Sequence, residues 1–174
     1  MPEPNIHGLF PTPVLFTQLG RAFTKKELKF LDECAKTTTR NTGNLTSSNR
    51  YVLDDPALAD LREYYQFYVN YYMEKVYAPK YPVDAYITQS WCNYTKTGEY
   101  HHKHAHPNSW ISGCIYINAD REKDRITFYN DRYNRIDLPT ENFNAFNSQS
   151  WWYSVGTGDI VLFPSYLTHM VEQT

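Results

Sequence analysis

The sequence predicts an α+β fold: a small β-sandwich or barrel with helices on one side. Three observations predict it. Helical periodicity is confined to the first half of the chain. Short runs rich in Tyr, Ile, Val, Trp and Phe, broken by Gly, Asn and Asp, fill the second half. The chain has 174 residues, about one domain's worth, with no internal repeat and no linker. We therefore expect a single domain over residues 1–174, with 1–82 mainly helical support and 83–174 the β core.

The elements follow in order. Residues 9–19 are read as an early strand, which Pro11 and Pro13 restrict to a sheet edge. Thr24 and Glu27 form a Thr-x-x-Glu capping box ahead of an apolar stripe at Leu28, Leu31 and Ala35, which starts a helix. Residues 41–49 are polar, contain Gly43 and read as a loop. Asp55-Pro56 supplies an N-cap followed by proline at the first helical position. Leu58, Leu61, Tyr65, Tyr68 and Tyr72 then recur every three or four residues, one face of a second helix that Pro79 and Pro82 end. Residues 64–72 are apolar or amphipathic nearly all round. Such a helix is buried on more than one face, so it has room for the barrel on one side and a second subunit of a homodimer on the other. Strands are expected at 86–94, 112–118, 125–129, 151–155, 159–163 and 168–172. Gly156-Thr157-Gly158 is the turn between two of them.

Composition excludes several classes. Hydrophobic residues at 41% and charged residues at 21% are globular values, which excludes long disorder. Seventeen Lys and Arg against 19 Asp and Glu leave a net charge of −2, which argues against a nucleic-acid partner. No apolar run approaches the ~20 residues of a membrane span, so no membrane partner is expected. The first ten residues have no basic segment followed by an apolar one. The three cysteines, Cys34, Cys92 and Cys114, lack paired spacing, which fits a reducing compartment. A cytoplasmic location is the expectation. Aromatic residues make up 17% of the chain, yet mean hydropathy is −0.64. The apolar mass therefore sits in rings with polar tips, chiefly the 16 tyrosines, which pack and still offer a hydroxyl.

The chemistry concentrates in the histidines. Of six, four fall in residues 101–106, and His169 follows the strand-like run at 159–163. In an extended chain His102, His104 and His106 share one face, with His101 opposite. Two imidazoles at i and i+2, joined by a third from a neighbouring strand, bind one metal ion facially and leave positions open for substrate. His169 is the evident third ligand. His102/His104 and His104/His106 both have the spacing, and His104 belongs to both. The rival readings are a solvated His-rich loop and a histidine general base without metal.

Two longer stretches resemble a known family. Residues 104–118 (His-Ala-His-Pro-Asn-Ser-Trp-Ile-Ser-Gly-Cys-Ile-Tyr-Ile-Asn) resemble the first metal motif and following strand of the Fe(II)/2-oxoglutarate-dependent dioxygenases. They are nearest to a small bacterial and phage group related to the prolyl hydroxylases. Residues 158–165 (Gly-Asp-Ile-Val-Leu-Phe-Pro-Ser), followed by Thr168-His169-Met170-Val171, resemble the second motif, where a strand ending in Phe-Pro-Ser leads to the distal histidine. The resemblance runs from about residue 86 to the end. It implies a double-stranded β-helix, a cupin-like jelly roll, with N-terminal helices packed on the major sheet. It also implies Fe(II) on His104, His106 and His169, with 2-oxoglutarate and O₂ as co-substrates. A C–H bond of a small-molecule or peptidyl substrate would be hydroxylated, with release of succinate and CO₂. By the same resemblance Tyr94 and Tyr116 touch the co-substrate, and Tyr100 lies on the substrate side.

Two departures stand out. His106 occupies the place of a carboxylate, so three neutral ligands leave the full charge on the metal. Such sites also occur in three-His metalloenzymes that do not use 2-oxoglutarate, of cupin dioxygenase or zinc hydrolase type. The family also places an Arg or Lys some ten residues after the distal histidine, to grip the co-substrate's far carboxylate. The sequence ends at Thr174, so that anchor and the last strand are expected to be missing from it, as if it were part of a longer chain. Arg125 and Arg132 are the stand-in candidates. A non-catalytic β-sandwich module that binds through exposed aromatics is the other rival. Trp110, Trp151 and Trp152 are read either as core or as an apolar rim of the pocket.

Overall fold

Strand β9 (Asp159–Pro164) holds the fold together, and all six of its residues are buried. In the computed structural model, which describes residues 2–131 and 139–173, β9 has a layer on each face. It is the middle strand of an antiparallel sheet, between β1 (Leu15–Gln18) and β6 (Ile111–Ile115). Ile160 and Leu162 point to one side and pack against Tyr65, Val69 and Tyr72 of a helix. Val161 and Phe163 point to the other side and meet Ile126, Phe128 and Val155. Burial on both faces is why this strand reads as a continuous apolar run instead of alternating. Each fully buried aliphatic or aromatic side chain contributes about 1.5–3 kcal/mol relative to exposure.

The second antiparallel sheet has the order β5 (His101–His104), β10 (His169–Val171), β7 (Arg125–Tyr129), β8 (Ser150–Ser154). Its Ile126 and Phe128 face Val161 and Phe163 of the first sheet, with Cys114 and Tyr116 at the margin of the same cluster. A third, small sheet joins β2 (Thr38–Arg40), β3 (Leu45–Ser47) and β4 (Asn93–Tyr94).

Helix α1 (Lys25–Ala35) starts at the expected capping box. Thr24 Oγ1 accepts from the Glu27 N–H, and the Glu27 carboxylate accepts from the Thr24 N–H. Arg21 adds a two-nitrogen fork to that carboxylate at 2.6 and 2.9 Å. The second helical segment begins at Asp55, whose side chain caps Ala57 N–H ahead of a 3₁₀ turn at Pro56–Leu58. It continues as α2 (Ala59–Tyr72) and widens into a π turn over Met73–Tyr77. Ala78, left-handed at φ 43°, ends it one residue before Pro79. The buried stripe of α2 is Leu61, Tyr65, Val69 and Tyr72, so Val69 takes the place expected of Tyr68. Phe67 and Tyr71 lie on the exposed side.

Gly113 is required by close approach. A Cβ there would sit 2.1 Å from the Tyr65 hydroxyl and 2.6 Å from the Val161 carbonyl, so this glycine lets α2 seat on the sheet.

Several boundaries differ from the sequence reading. The first half carries three strands, β1 to β3, as well as its helices. The polar segment 41–49, expected as a loop, contains β3. There Asn44, Thr46 and Ser47 are buried because each finds a polar partner, on Thr95, Cys92 and Asn49 respectively. Of residues 86–94, only β4 and an isolated bridge from Ser90 to Tyr51 are paired. Arg132 lies outside the described residues. Among the described residues no helix is long and apolar enough to cross a membrane.

Candidate metal centre

Strands β5 and β10 run antiparallel, with His104 opposite His169. This register brings the two histidine motifs together across 65 residues of sequence. His106 follows at the end of β5, where its N–H donates to the Ser165 carbonyl at 3.0 Å. Ring centroids of His104 and His169 are 4.4 Å apart, His104 and His106 4.9 Å, and His106 and His169 5.2 Å. One ring nitrogen from each of the three lies within 4.8 Å of the others. Nitrogens that share one ion facially at ~2.1 Å lie ~3.0–3.4 Å apart, so side-chain shifts of up to about 1 Å close the three onto a metal.

Backbone carbonyls orient the rings. The His104 Nδ1–H donates to the His102 carbonyl at 2.7 Å, and the His169 Nδ1–H to the Leu167 carbonyl at 3.0 Å. A carbonyl only accepts, so the Nδ1 of each ring carries the proton and Nε2 keeps its lone pair for a metal. Phe128 and Phe163 flank the His169 ring, and Trp91 lies 5.7 Å from His106. Burial, with mutual repulsion among the imidazoles, pushes His106 and His169 down to about 4. His104 is also lowered by burial. All three rings are therefore neutral at pH 7, the protonation state that binds metal.

The tyrosines divide. Tyr116 packs at the edge of the cluster that contains Phe128 and Phe163, the two rings beside His169. Its hydroxyl is buried without a hydrogen-bond partner among the described residues, apart from a weak contact with the Cys114 thiol. Burial raises its pKa well above the ordinary value, so it stays a neutral donor. Tyr94 instead donates to the Leu31 carbonyl of α1 at 3.1 Å, which commits its hydroxyl to the helix. Tyr100 is exposed beside His101. Its N–H donates to the Gly43 carbonyl, and its ring covers Gly43, which has φ 90° and no room for a Cβ. Trp110, Trp151 and Trp152 are exposed, so none is a core residue. Arg125 stacks on Trp152 with its guanidinium 4.6 Å from the ring centroid.

The structure adds residues that sequence reasoning missed. The turn between β2 and β3 reaches the histidines. Asn41 Nδ2 lies 3.2 Å from His101 Nε2, and the Thr42 carbonyl accepts from His102 Nδ1–H at 3.3 Å. Arg50 lies over the Trp91 ring at 5.7 Å, and Trp91 in turn faces His106. Nothing in the spacing of Asn41, Thr42 or Arg50 pointed to the site, because the β2–β3–β4 sheet brings them there.

Residues 89–174, which include every histidine of the cluster, match the family described as "Putative 2OG-Fe(II) oxygenase". Over these residues, just under half of its length, the chain is similar to the 2OG-Fe(II) oxygenase family. No curated protein matches the chain.

Proposed function

We propose that the protein is a non-haem iron, 2-oxoglutarate-dependent hydroxylase built on a double-stranded β-helix, with the ion held by His104, His106 and His169. The observation that carries this reading is the cross-strand pair His104 and His169, with His106 beside them and the Nδ1 protons of His104 and His169 held by carbonyls. When bound, Fe(II) and 2-oxoglutarate supply the oxidation: the 2-oxo acid loses CO₂ to become succinate, and oxygen is inserted into a substrate C–H bond.

The residues present fit that group. Three neutral imidazoles leave an ion with its full 2+ charge, which favours a dianionic chelator over neutral ligands. The Tyr116 hydroxyl, buried and lacking a good acceptor, is a donor waiting for a carboxylate. Phe128 and Phe163 keep water from the His169 side and lower the local dielectric. His106, standing where a carboxylate is usual, makes the co-substrate responsible for neutralising the ion.

The test is turnover. Purified without a polyhistidine tag and supplied with Fe(II), 2-oxoglutarate and O₂, the protein should release succinate, even slowly and without its substrate. His104→Ala should abolish the release. Succinate release that is absent in the wild type, or unchanged in His104→Ala, contradicts the reading.

A further inference from the structure

The histidine cluster does not stop at three. His101, His102 and His104 form a second group whose ring nitrogens also lie within 4.8 Å of one another. Ring centroids are 4.5 Å apart for His101 and His104, 4.8 Å for His102 and His104, and 5.2 Å for His101 and His102. In a regular strand His101 would face away from His104. Here the ladder pairs His169 with His104 but Val171 with His101, so two residues of β10 span three of β5. The extra residue is a β-bulge, and a bulge re-aims side chains. It turns His101 back to the face that His102 and His104 share.

We propose that His101, His102 and His104 form a second divalent-metal position, alternative to the one on His104, His106 and His169. The inference rests on the reading above that the latter three take an ion. His104 has a single free nitrogen, because its Nδ1–H is held by the His102 carbonyl. An ion therefore occupies one position or the other, never both. His102 is oriented in the same way: its Nδ1–H meets the Thr42 carbonyl, which frees Nε2. His101 is held through a chain of amides that runs from Asn41 to Asn44 to Thr95 Oγ1, with links of 3.2, 3.0 and 3.2 Å. Turning both amides over reverses every link without losing one. In that direction Thr95 donates to Asn44, Asn44 donates to Asn41, and His101 Nε2–H donates to Asn41, which frees His101 Nδ1 for metal. Neutral imidazoles suit borderline divalent ions such as Zn²⁺, Ni²⁺, Co²⁺ and Cu²⁺. An ion held here would take His104 out of the catalytic set, so such metals would inhibit by relocation as well as by replacement.

The test is Co²⁺ titration of the tag-free apo protein, followed by visible absorption, with circular dichroism to confirm that each variant folds. Wild type should bind one Co²⁺ per chain. His169→Ala and His106→Ala each remove the first position, and whichever variants fold should still bind one Co²⁺, with an altered spectrum. Adding His101→Ala to either should remove that binding, a loss of at least tenfold in affinity. If wild type binds one Co²⁺ and the folded single variants bind none, the second position is overturned and the proposed iron site stands. Two Co²⁺ per wild-type chain overturns the exclusivity. If wild type binds none, both readings fall.

Discussion

Replacing Tyr116 with Phe should make the protein more stable and the site worse. The Tyr116 hydroxyl is buried with only the Cys114 thiol for company. An unsatisfied buried polar group costs about 1–3 kcal/mol, and the weak thiol contact recovers part of it. Removing the hydroxyl should therefore stabilise the apo protein by about 1 kcal/mol, or about 2–4 °C in Tm for a chain of this size. The ring is kept, so its packing at the edge of the cluster that holds Ile126, Val155 and Val161 is unchanged. With 2-oxoglutarate present the sign reverses. A hydrogen bond from the hydroxyl to a carboxylate is worth about 1.5–3 kcal/mol, so affinity should fall roughly 10- to 150-fold. Thermal unfolding of the apo variant and calorimetric titration of 2-oxoglutarate under nitrogen, with Fe(II) present, give the two numbers. A variant that is less stable than wild type by 1 kcal/mol or more, or that binds 2-oxoglutarate as well as wild type, would refute the reasoning.

Four further predictions concern protonation and packing. With His106 and His169 at about 4, metal affinity of the folded protein should change little between pH 7.5 and 6, whereas two unperturbed imidazoles would cost roughly tenfold; Co²⁺ titrations across that range decide it. The same depression has a stability sign: the unfolded chain takes up protons as pH falls below about 6.5 and folded His169 does not until about 4, so apo stability should drop across that window, by roughly 3 kcal/mol from His169 alone in urea denaturation. Gly113→Ala should cost about 3 kcal/mol or more, read as a lowered Tm, because both the Tyr65 hydroxyl and the Val161 carbonyl must move. Glu27→Gln should cost about 2–3 kcal/mol at pH 7. Arg21, aided by the Thr24 N–H, holds the Glu27 carboxyl at about 2, so this stability is present above pH 4.5 and the gap from wild type should close as pH falls from 4.5 toward 2.

What was legible in the sequence follows from the kind of signal each residue leaves. The capping box at Thr24 and the buried stripe of α2 are local patterns, and both are seen in the fold. The run at 159–163 was readable as a strand because burial on both faces demands an unbroken apolar segment. The i, i+2 spacing of His104 and His106 and the distant His169 were readable as one group because strand alternation alone puts the first two on one face. Other features had no local signal. Segment 41–49 looks like a loop because its buried residues are polar, and Asn44, Thr46 and Ser47 find partners at Thr95 and Cys92, the residues that flank β4 far along the chain. His101 belonged on the opposite face by alternation, and only the register with β10 reveals the bulge that brings it back. Tyr94 and Tyr116 looked alike as strand tyrosines. The position of α1 decides that the Tyr94 hydroxyl meets Leu31, while that of Tyr116 is left without a good acceptor.

The central claim is that His104, His106 and His169 present one ion with room for a chelating 2-oxo acid. Anaerobic titration of 2-oxoglutarate into the tag-free protein loaded with Fe(II) tests it most directly. Chelation of iron by a 2-oxo acid produces a visible charge-transfer band. We predict that the band appears with one 2-oxoglutarate per chain, is lost in His104→Ala and bleaches on admission of O₂ as succinate forms. An Fe(II)-loaded wild type that shows no band at saturating 2-oxoglutarate, and no succinate on exposure to O₂, would contradict the account.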